Sequence, residues 1–190
     1  MVPVGAVRAL LVVTAVGWLV LELRQSMVRR TDATSEDRGS RLVLSCAMGA
    51  GALLAALARR RAPDLAIEPA ALADSVALVL LWAGVGLRFW SFHTLGRYFT
   101  FTVQTSRDQP VIATGPYRVV RHPSYTGLLL AVLGLGFALG NWLALVVLEA
   151  LTVLGVVYRI HVEERALVRT LGDDYRDYAR THNRLVPLLW

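Results

Sequence analysis

The stretch Gly115-Pro116-Tyr117-Arg118-Val119-Val120-Arg121-His122-Pro123-Ser124-Tyr125-Thr126-Gly127 runs directly into an uncharged apolar segment, residues 128–139. A helix that merely spans a bilayer needs no prolines, tyrosines, histidine or arginines where it begins. Irregular backbone near membrane depth is tolerated where it is buried in protein or lines a cavity. The stretch therefore marks both the start of a membrane helix and a candidate site. Pro116 and Pro123 fix their own φ and bias Gly115 and His122 away from helix. That predicts extended backbone with free N–H and C=O groups ahead of the helix, suited to a nucleotide-like ligand. Tyr117 and Tyr125 add aromatic faces and hydroxyls. On composition alone, a helix-start turn anchored at the membrane interface explains the stretch equally well.

The rest of the chain agrees with a membrane setting. Its 190 residues are 55% hydrophobic, with a mean hydropathy of +0.50. The formal charge is +6 and the 20 basic residues are all arginine. Arginines beside apolar runs fit contact with anionic headgroups and orientation in the bilayer better than binding of nucleic acid. The single cysteine, Cys46, allows no disulfide framework, and His93, His122, His161 and His182 show no paired ligand spacing. No metal site is expected.

Apolar segments at about 4–23, 42–58 and 72–92 predict three membrane helices. The first reads as a retained helix, since no small-residue cleavage site follows it. Arg88, near the end of the third, is expected to snorkel toward the headgroups. Residues 95–124 are polar. Two shorter apolar runs, 125–139 and 143–157, flank Gly140-Asn141-Trp142 and predict a tight helical hairpin. Residues 159–182 carry helical periodicity with charge and predict an amphipathic helix at the membrane surface. Five crossings put the first loop, the 95–124 loop and the tail on one face. That face holds most of the arginines and is expected to be cytoplasmic, although Arg59-Arg60-Arg61 on the other face opposes the rule.

Other groups stand out. Arg159 and Glu163 share one helix face at i,i+4, while Glu164 points roughly 100° away. The pair fits either a boundary salt bridge or a site for two ligands of opposite charge, since arginine grips carboxylates bidentately. Glu149, inside an apolar run, reads as a structural residue facing the protein interior. Gly134-Leu135-Gly136 lies within an apolar helix and reads as a packing feature. Ser124 has no histidine–aspartate arrangement beside it, and His93 and His161 have no suitably spaced partner.

Together, Gly115-Pro116-Tyr117, Arg121-His122-Pro123-Ser124-Tyr125-Thr126-Gly127, Glu163-Glu164 and Leu171-Gly172-Asp173-Asp174-Tyr175, with Tyr178 and Pro187, resemble the isoprenylcysteine carboxyl methyltransferase family. These are membrane enzymes related to the phospholipid methyltransferases. The resemblance covers about residues 95–190. It implies an all-α integral membrane protein of about five transmembrane helices, the last two a hairpin. A cytoplasmic cofactor-binding segment and a C-terminal amphipathic helix would complete it. Residues 1–92 would carry the first three helices and 93–190 the catalytic region.

The resemblance further implies S-adenosylmethionine as cofactor, with S-adenosylhomocysteine as product. The residues implied to bind it are Gln104, Gln109, Pro110, Val111, Ile112, Tyr117, His122, Pro123, Ser124, Tyr125 and Glu163. Gln109 stands where the family typically has histidine. Arg159 would hold the substrate carboxylate, with Glu163 beside it. The implied acceptor is a lipophilic small molecule or prenylated carboxylate, its tail admitted by the hairpin from the membrane lipids. A carboxylate is ionised at pH 7 and attacks the methyl carbon without a base. A phenol or enol of an alkyl lipid, or a phospholipid amine, is the alternative acceptor. A non-catalytic lipid-binding scaffold is the alternative outside enzymes. A bacterial cytoplasmic membrane is the expected location.

Overall fold

In a computed structural model of the protein, the described residues are 4–26, 34–35, 37–99, 104–105, 110–187 and 190. Among these residues there are six α-helices: α1 Val4–Ser26, α2 Ser40–Arg61, α3 Ala70–Leu95, α4 Pro123–Ala138, α5 Trp142–Leu171 and α6 Asp173–Thr181. Two short strands, β1 Thr34–Ser35 and β2 Gln104–Thr105, pair antiparallel, with Thr34 opposite Thr105. Helices α1, α2, α3 and α5 are long and apolar enough to cross a membrane, and α4 is a shorter apolar helix. The chain is an integral membrane protein whose first five helices alternate direction.

The helices pack as α3 on α4, α4 on α5, α2 on α5 and α1 on α3, while α1 and α2 meet only marginally. Glycine sets the closest of these approaches. A Cβ on Gly127 would lie 2.6 Å from the Gly84 carbonyl oxygen, and one on Gly134 would lie 2.8 Å from that of Ala77. The Gly134-Leu135-Gly136 motif is therefore a packing feature, as its setting in an apolar helix predicts. The backbones come close enough that a methyl group would push α3 and α4 apart.

The hairpin turn is built as its sequence suggests. Gly140 adopts φ +65°, and the Asn141 side chain accepts from the Ala144 N–H at 3.0 Å, capping α5. The same side chain donates to the Ala62 carbonyl at 2.7 Å, tying the turn to the end of α2.

Three expectations need correction. The amphipathic helix predicted over 159–182 does not exist as one element. Helix α5 runs unbroken to Leu171, and a new helix begins after Gly172, whose φ of +60° breaks the first. Thirty residues at 1.5 Å each reach about 45 Å, so the last turns of α5 project beyond a ~30 Å core. Arg159 and Glu163 thus stand on the second arm of the hairpin itself.

Arg88 does not snorkel. It is buried, ion-paired with Glu22 of α1 and donates to the Ser124 carbonyl at 2.9 Å. A half-buried carboxylate and a backbone carbonyl in the first turn of α4 outcompete the headgroups for it.

The stretch before α4 is only partly extended, and its backbone donors are not free. Residues Gly115–Arg118 coil into a 3-10 turn. The Arg121 and His122 N–H groups donate to the Asn183 and Arg184 carbonyls at 2.8 and 2.9 Å. Buried backbone donors find partners, and here the chain's own C-terminal segment supplies them.

Candidate active site

All six helices and the 3-10 turn before α4 contribute to one cavity of about 580 Å³ at the face where α1 and α3 end and α2 and α4 begin. The 3-10 turn presents Tyr117, and the start of α4 presents His122, Ser124 and Tyr125. Helix α5 presents Arg159 and Glu163, and α6 closes the rim with Tyr175 and Tyr178. Pro110, Val111 and Ile112 line it as well. Of the residues named from sequence, nine therefore share one wall. Pro123 is fully buried at the first turn of α4, where its missing N–H costs nothing, and does not reach the cavity. Gln104 has its backbone in β2, opposite Ser35. Gln109 lies outside the described residues.

Hydrogen bonds lock this wall together. Arg159 Nε donates to the Tyr125 hydroxyl at 2.7 Å, which in turn donates to Glu163 Oε2 at 2.7 Å. Behind Arg159, Asp37 Oδ1 accepts from Nη1 at 3.0 Å, and Ser40 Oγ accepts at 3.1 Å. Arg159 is not an open hook: a carboxylate of the protein already sits on it.

Glu164, which points away from Glu163 around the helix, is a buried hub. Arg121 approaches it at 2.7 Å, the His122 ring at 3.2 Å and Arg184 Nε at 2.9 Å. It thereby joins α5, the turn before α4 and the C-terminal segment.

Two buried polar groups of the wall are orphaned: Arg121 Nε and the Tyr175 hydroxyl have no hydrogen-bond partner among the described residues. Such groups are costly unless something satisfies them, and both belong to cavity-lining residues. Tyr117, Tyr175 and Tyr178, all outside the membrane helices, are donors at physiological pH. Burial and then the Glu163 carboxylate raise Tyr117 far above its ordinary range, and burial followed by Glu164 does the same for Tyr175. Burial pushes Tyr178 up to about 12, against a smaller downward pull from Arg121. Tyr178 donates to the Tyr117 carbonyl at 2.7 Å, clipping α6 to the 3-10 turn.

The opposite wall is of another kind. Ala15, Val16, Leu19 and Leu23 of α1 face Leu44, Ser45 and Met48 of α2 across it. Val16, Leu19 and Leu23 are also 55%, 58% and 54% exposed. The cavity thus opens sideways between α1 and α2 into the space a bilayer fills. The sequence suggested an opening at the hairpin, but α4 and α5 pack together there.

Sequence reasoning missed Asp37, Arg41, Glu22 and Trp18 as parts of this site, and the partners that Arg121 and Glu164 find in each other. Asp37 was the most accessible of them. Its side chain accepts from Ser40 Oγ and from the Arg41 N–H, and an aspartate a few residues ahead of an apolar run is a helix-start signal.

Fold and cavity define a class: a helical membrane protein with an amphiphilic chamber at one face that opens to bilayer and aqueous phase alike. Residues 76–169 match the model of the isoprenylcysteine carboxyl methyltransferase (ICMT) family, and the chain belongs to that family. It is 32% identical over 115 residues to the protein-S-isoprenylcysteine O-methyltransferase of Schizosaccharomyces pombe, covering 60% of this chain and 49% of that one. To the Saccharomyces cerevisiae protein of the same name it is 33% identical over 133 residues, covering 67% and 56%. The solved structure of the eukaryotic intramembrane Ras methyltransferase ICMT superposes with a TM-score of 0.59 at 25% identity, over 76% of this chain and 52% of that one. The chain spans about half the length of the curated relatives it matches.

Proposed function

We propose that this protein is an S-adenosylmethionine-dependent methyltransferase that esterifies the carboxylate of a lipid-tailed, prenylcysteine-like acceptor at the cytoplasmic face of a bacterial membrane. The observation that carries the reading is the cavity's two-sided construction. A polar wall of tyrosines, histidine and a glutamate faces an apolar wall that leads into the bilayer. A protein that joins a soluble cation to a membrane-bound acid needs both. The face assignment rests on charge: 16 of the 20 arginines belong to the loops and helix ends on the cavity side, as expected of a cytoplasmic face.

The donor set fits the cofactor. Glu163 offers the cavity a negative charge, Tyr117 and Tyr125 offer aromatic faces, and the orphaned Arg121 Nε and Tyr175 hydroxyl offer donors to its polar ends. When bound, S-adenosylmethionine supplies a methyl group on a cationic sulfur.

The protein's part is alignment and exclusion of water. Glu163, fixed by the Tyr125 hydroxyl, orients the cationic end. Arg159, held by Asp37 and Tyr125, flanks the acceptor oxygen from the wall. No base is required for a carboxylate, which suits a site whose only cavity-lining imidazole, among the described residues, is engaged by Glu164. The α1–α2 cleft takes the tail.

Calorimetry of the purified protein with S-adenosylhomocysteine tests this. Binding is expected, and Glu163→Gln is expected to weaken it by about tenfold or more through loss of a charge-assisted contact. Well-folded protein that shows no binding heat refutes the enzyme reading.

A further inference from the structure

Six charged side chains line the cavity: Glu22, Arg41, Arg88, Arg121, Arg159 and Glu163. Three of the arginines are each seated on a carboxylate. Arg88 Nη2 is 2.9 Å from Glu22 Oε2, Arg121 is 2.7 Å from Glu164 and Arg159 is 3.0 Å from Asp37. Two charges remain, one of each sign. Glu163 makes no ion pair with an arginine among the described residues: the His122 ring stands 3.9 Å away, and Arg159 reaches it only through the Tyr125 hydroxyl. Arg41 engages Asp37 through its backbone N–H alone, and its guanidinium has no hydrogen-bond or ion-pair partner among the described residues. A cavity-lining guanidinium with no protein partner is placed to take an incoming anion through a charge-assisted hydrogen bond.

Arg41 also stands where an amphiphile's head would lie. On α2, residues 41, 44, 45 and 48 occupy one helix face at i, i+3, i+4 and i+7, and all four line the cavity. The ladder descends from Arg41 at the polar end, through Leu44 and Ser45, to Met48 at bilayer depth. Arg41 neighbours Ser40, whose hydroxyl accepts from Arg159, so its stem begins one residue from the polar wall.

From this we infer that Arg41 is the ionic anchor for the carboxylate of the acceptor, while Arg159, neutralised by Asp37, shapes the wall beside it. The inference rests on the reading that the acceptor is a lipid-tailed carboxylic acid and reassigns the residue that grips it. It also balances charge: Glu163 faces the cationic ligand and Arg41 the anionic one.

The test compares N-acetyl-S-farnesylcysteine with its methyl ester, which lacks the negative charge, for binding to the full-length protein saturated with S-adenosylhomocysteine. Nanodiscs of zwitterionic lipid are used, with and without added phosphatidylglycerol. In Arg41→Gln, affinity for the acid should fall about tenfold to a hundredfold. Affinity for the ester and for S-adenosylhomocysteine should stay within about twofold, and Arg41→Lys should recover much of the loss.

Equal losses for acid and ester assign Arg41 to packing and overturn the inference, as does unchanged binding of the acid. A loss seen only with phosphatidylglycerol assigns Arg41 to lipid headgroups and likewise overturns it. Wild-type protein that binds S-adenosylhomocysteine but neither farnesyl compound refutes the acceptor reading itself, and this inference with it.

Discussion

The two walls of the cavity are built on opposite principles. On the α4–α5–α6 side nearly every polar group is cross-braced: Tyr178 to the Tyr117 carbonyl, Tyr125 to Glu163, and Glu164 to two arginines and a histidine. On the α1–α2 side the lining is mostly apolar below Glu22 and Arg41, α1 and α2 barely touch each other, and several of their side chains are shared between cavity and surroundings. The difference is intelligible if the walls meet different ligands. A polar cofactor demands donors fixed in place, whereas a hydrocarbon tail needs only a greasy slot that yields. Rigidity is found where hydrogen bonds must be aimed, and looseness where a lipid must slide in.

The strongest way to break that contrast is to unpin the braced wall. Glu164→Ala would leave Arg121, His122 and Arg184 around a hole with no counter-charge. Removing one partner of a buried pair costs about 3–5 kcal/mol, a large share of a typical total stability. The thermal midpoint of the detergent-purified protein should fall sharply, and S-adenosylhomocysteine binding should be lost with it. Glu164→Gln, which keeps a hydrogen-bond acceptor, should fall less far. An unchanged midpoint in the alanine variant would mean that the braces carry no load.

That hub also shows what a sequence can and cannot give away. The helical hairpin is legible because Gly140-Asn141 is turn chemistry with apolar runs on both sides. That Arg159 and Glu163 share one helix face follows from helix periodicity alone. Periodicity equally indicates that Glu164 points elsewhere, but not toward what: Arg121 and Arg184 lie 43 and 20 residues away, and only the fold brings them together. Asp37 on Arg159 spans 122 residues and is a purely tertiary fact. Arg88 defeats local reasoning because an arginine at a helix end near the interface usually finds water, and nothing nearby in the chain reveals a glutamate on another helix. The extent of the tail helix is hidden for a related reason. The charges that begin at Arg159 mark the point where α5 leaves the apolar environment, and only Gly172 marks where the helix stops.

A subtler perturbation sits where the walls join. Asp37 belongs to the start of α2 but holds a residue of α5, so it is the seam between loose and braced halves. Asp37→Asn keeps an acceptor for Ser40 while removing the charge that neutralises Arg159. Loss of a charge-assisted bond is worth about 1.5–3 kcal/mol at most, and part of it survives as a neutral bond. The KM for a prenylcysteine acceptor should change by about tenfold or less, with S-adenosylhomocysteine affinity within about twofold of wild type. If cofactor affinity moves as much as acceptor KM, the seam does not separate two functions.

The smallest effect should come from the loose wall itself. Leu19 lines the cavity, yet 58% of it is exposed to the bilayer side, so a larger side chain can lean outward without disturbing packing. Leu19→Trp should leave the thermal midpoint and S-adenosylhomocysteine binding unchanged, since it touches neither braces nor polar groups. It should nevertheless crowd the slot between α1 and α2 and deny a long tail one or two methylene contacts. At about 0.8 kcal/mol each, that predicts a several-fold rise in KM for a farnesyl acceptor and almost none for a short S-alkyl cysteine. Chain-length dependence is the discriminating feature. A tail that lay elsewhere, between α4 and α5 for instance, would be indifferent to residue 19, and acceptors of every length would then respond alike.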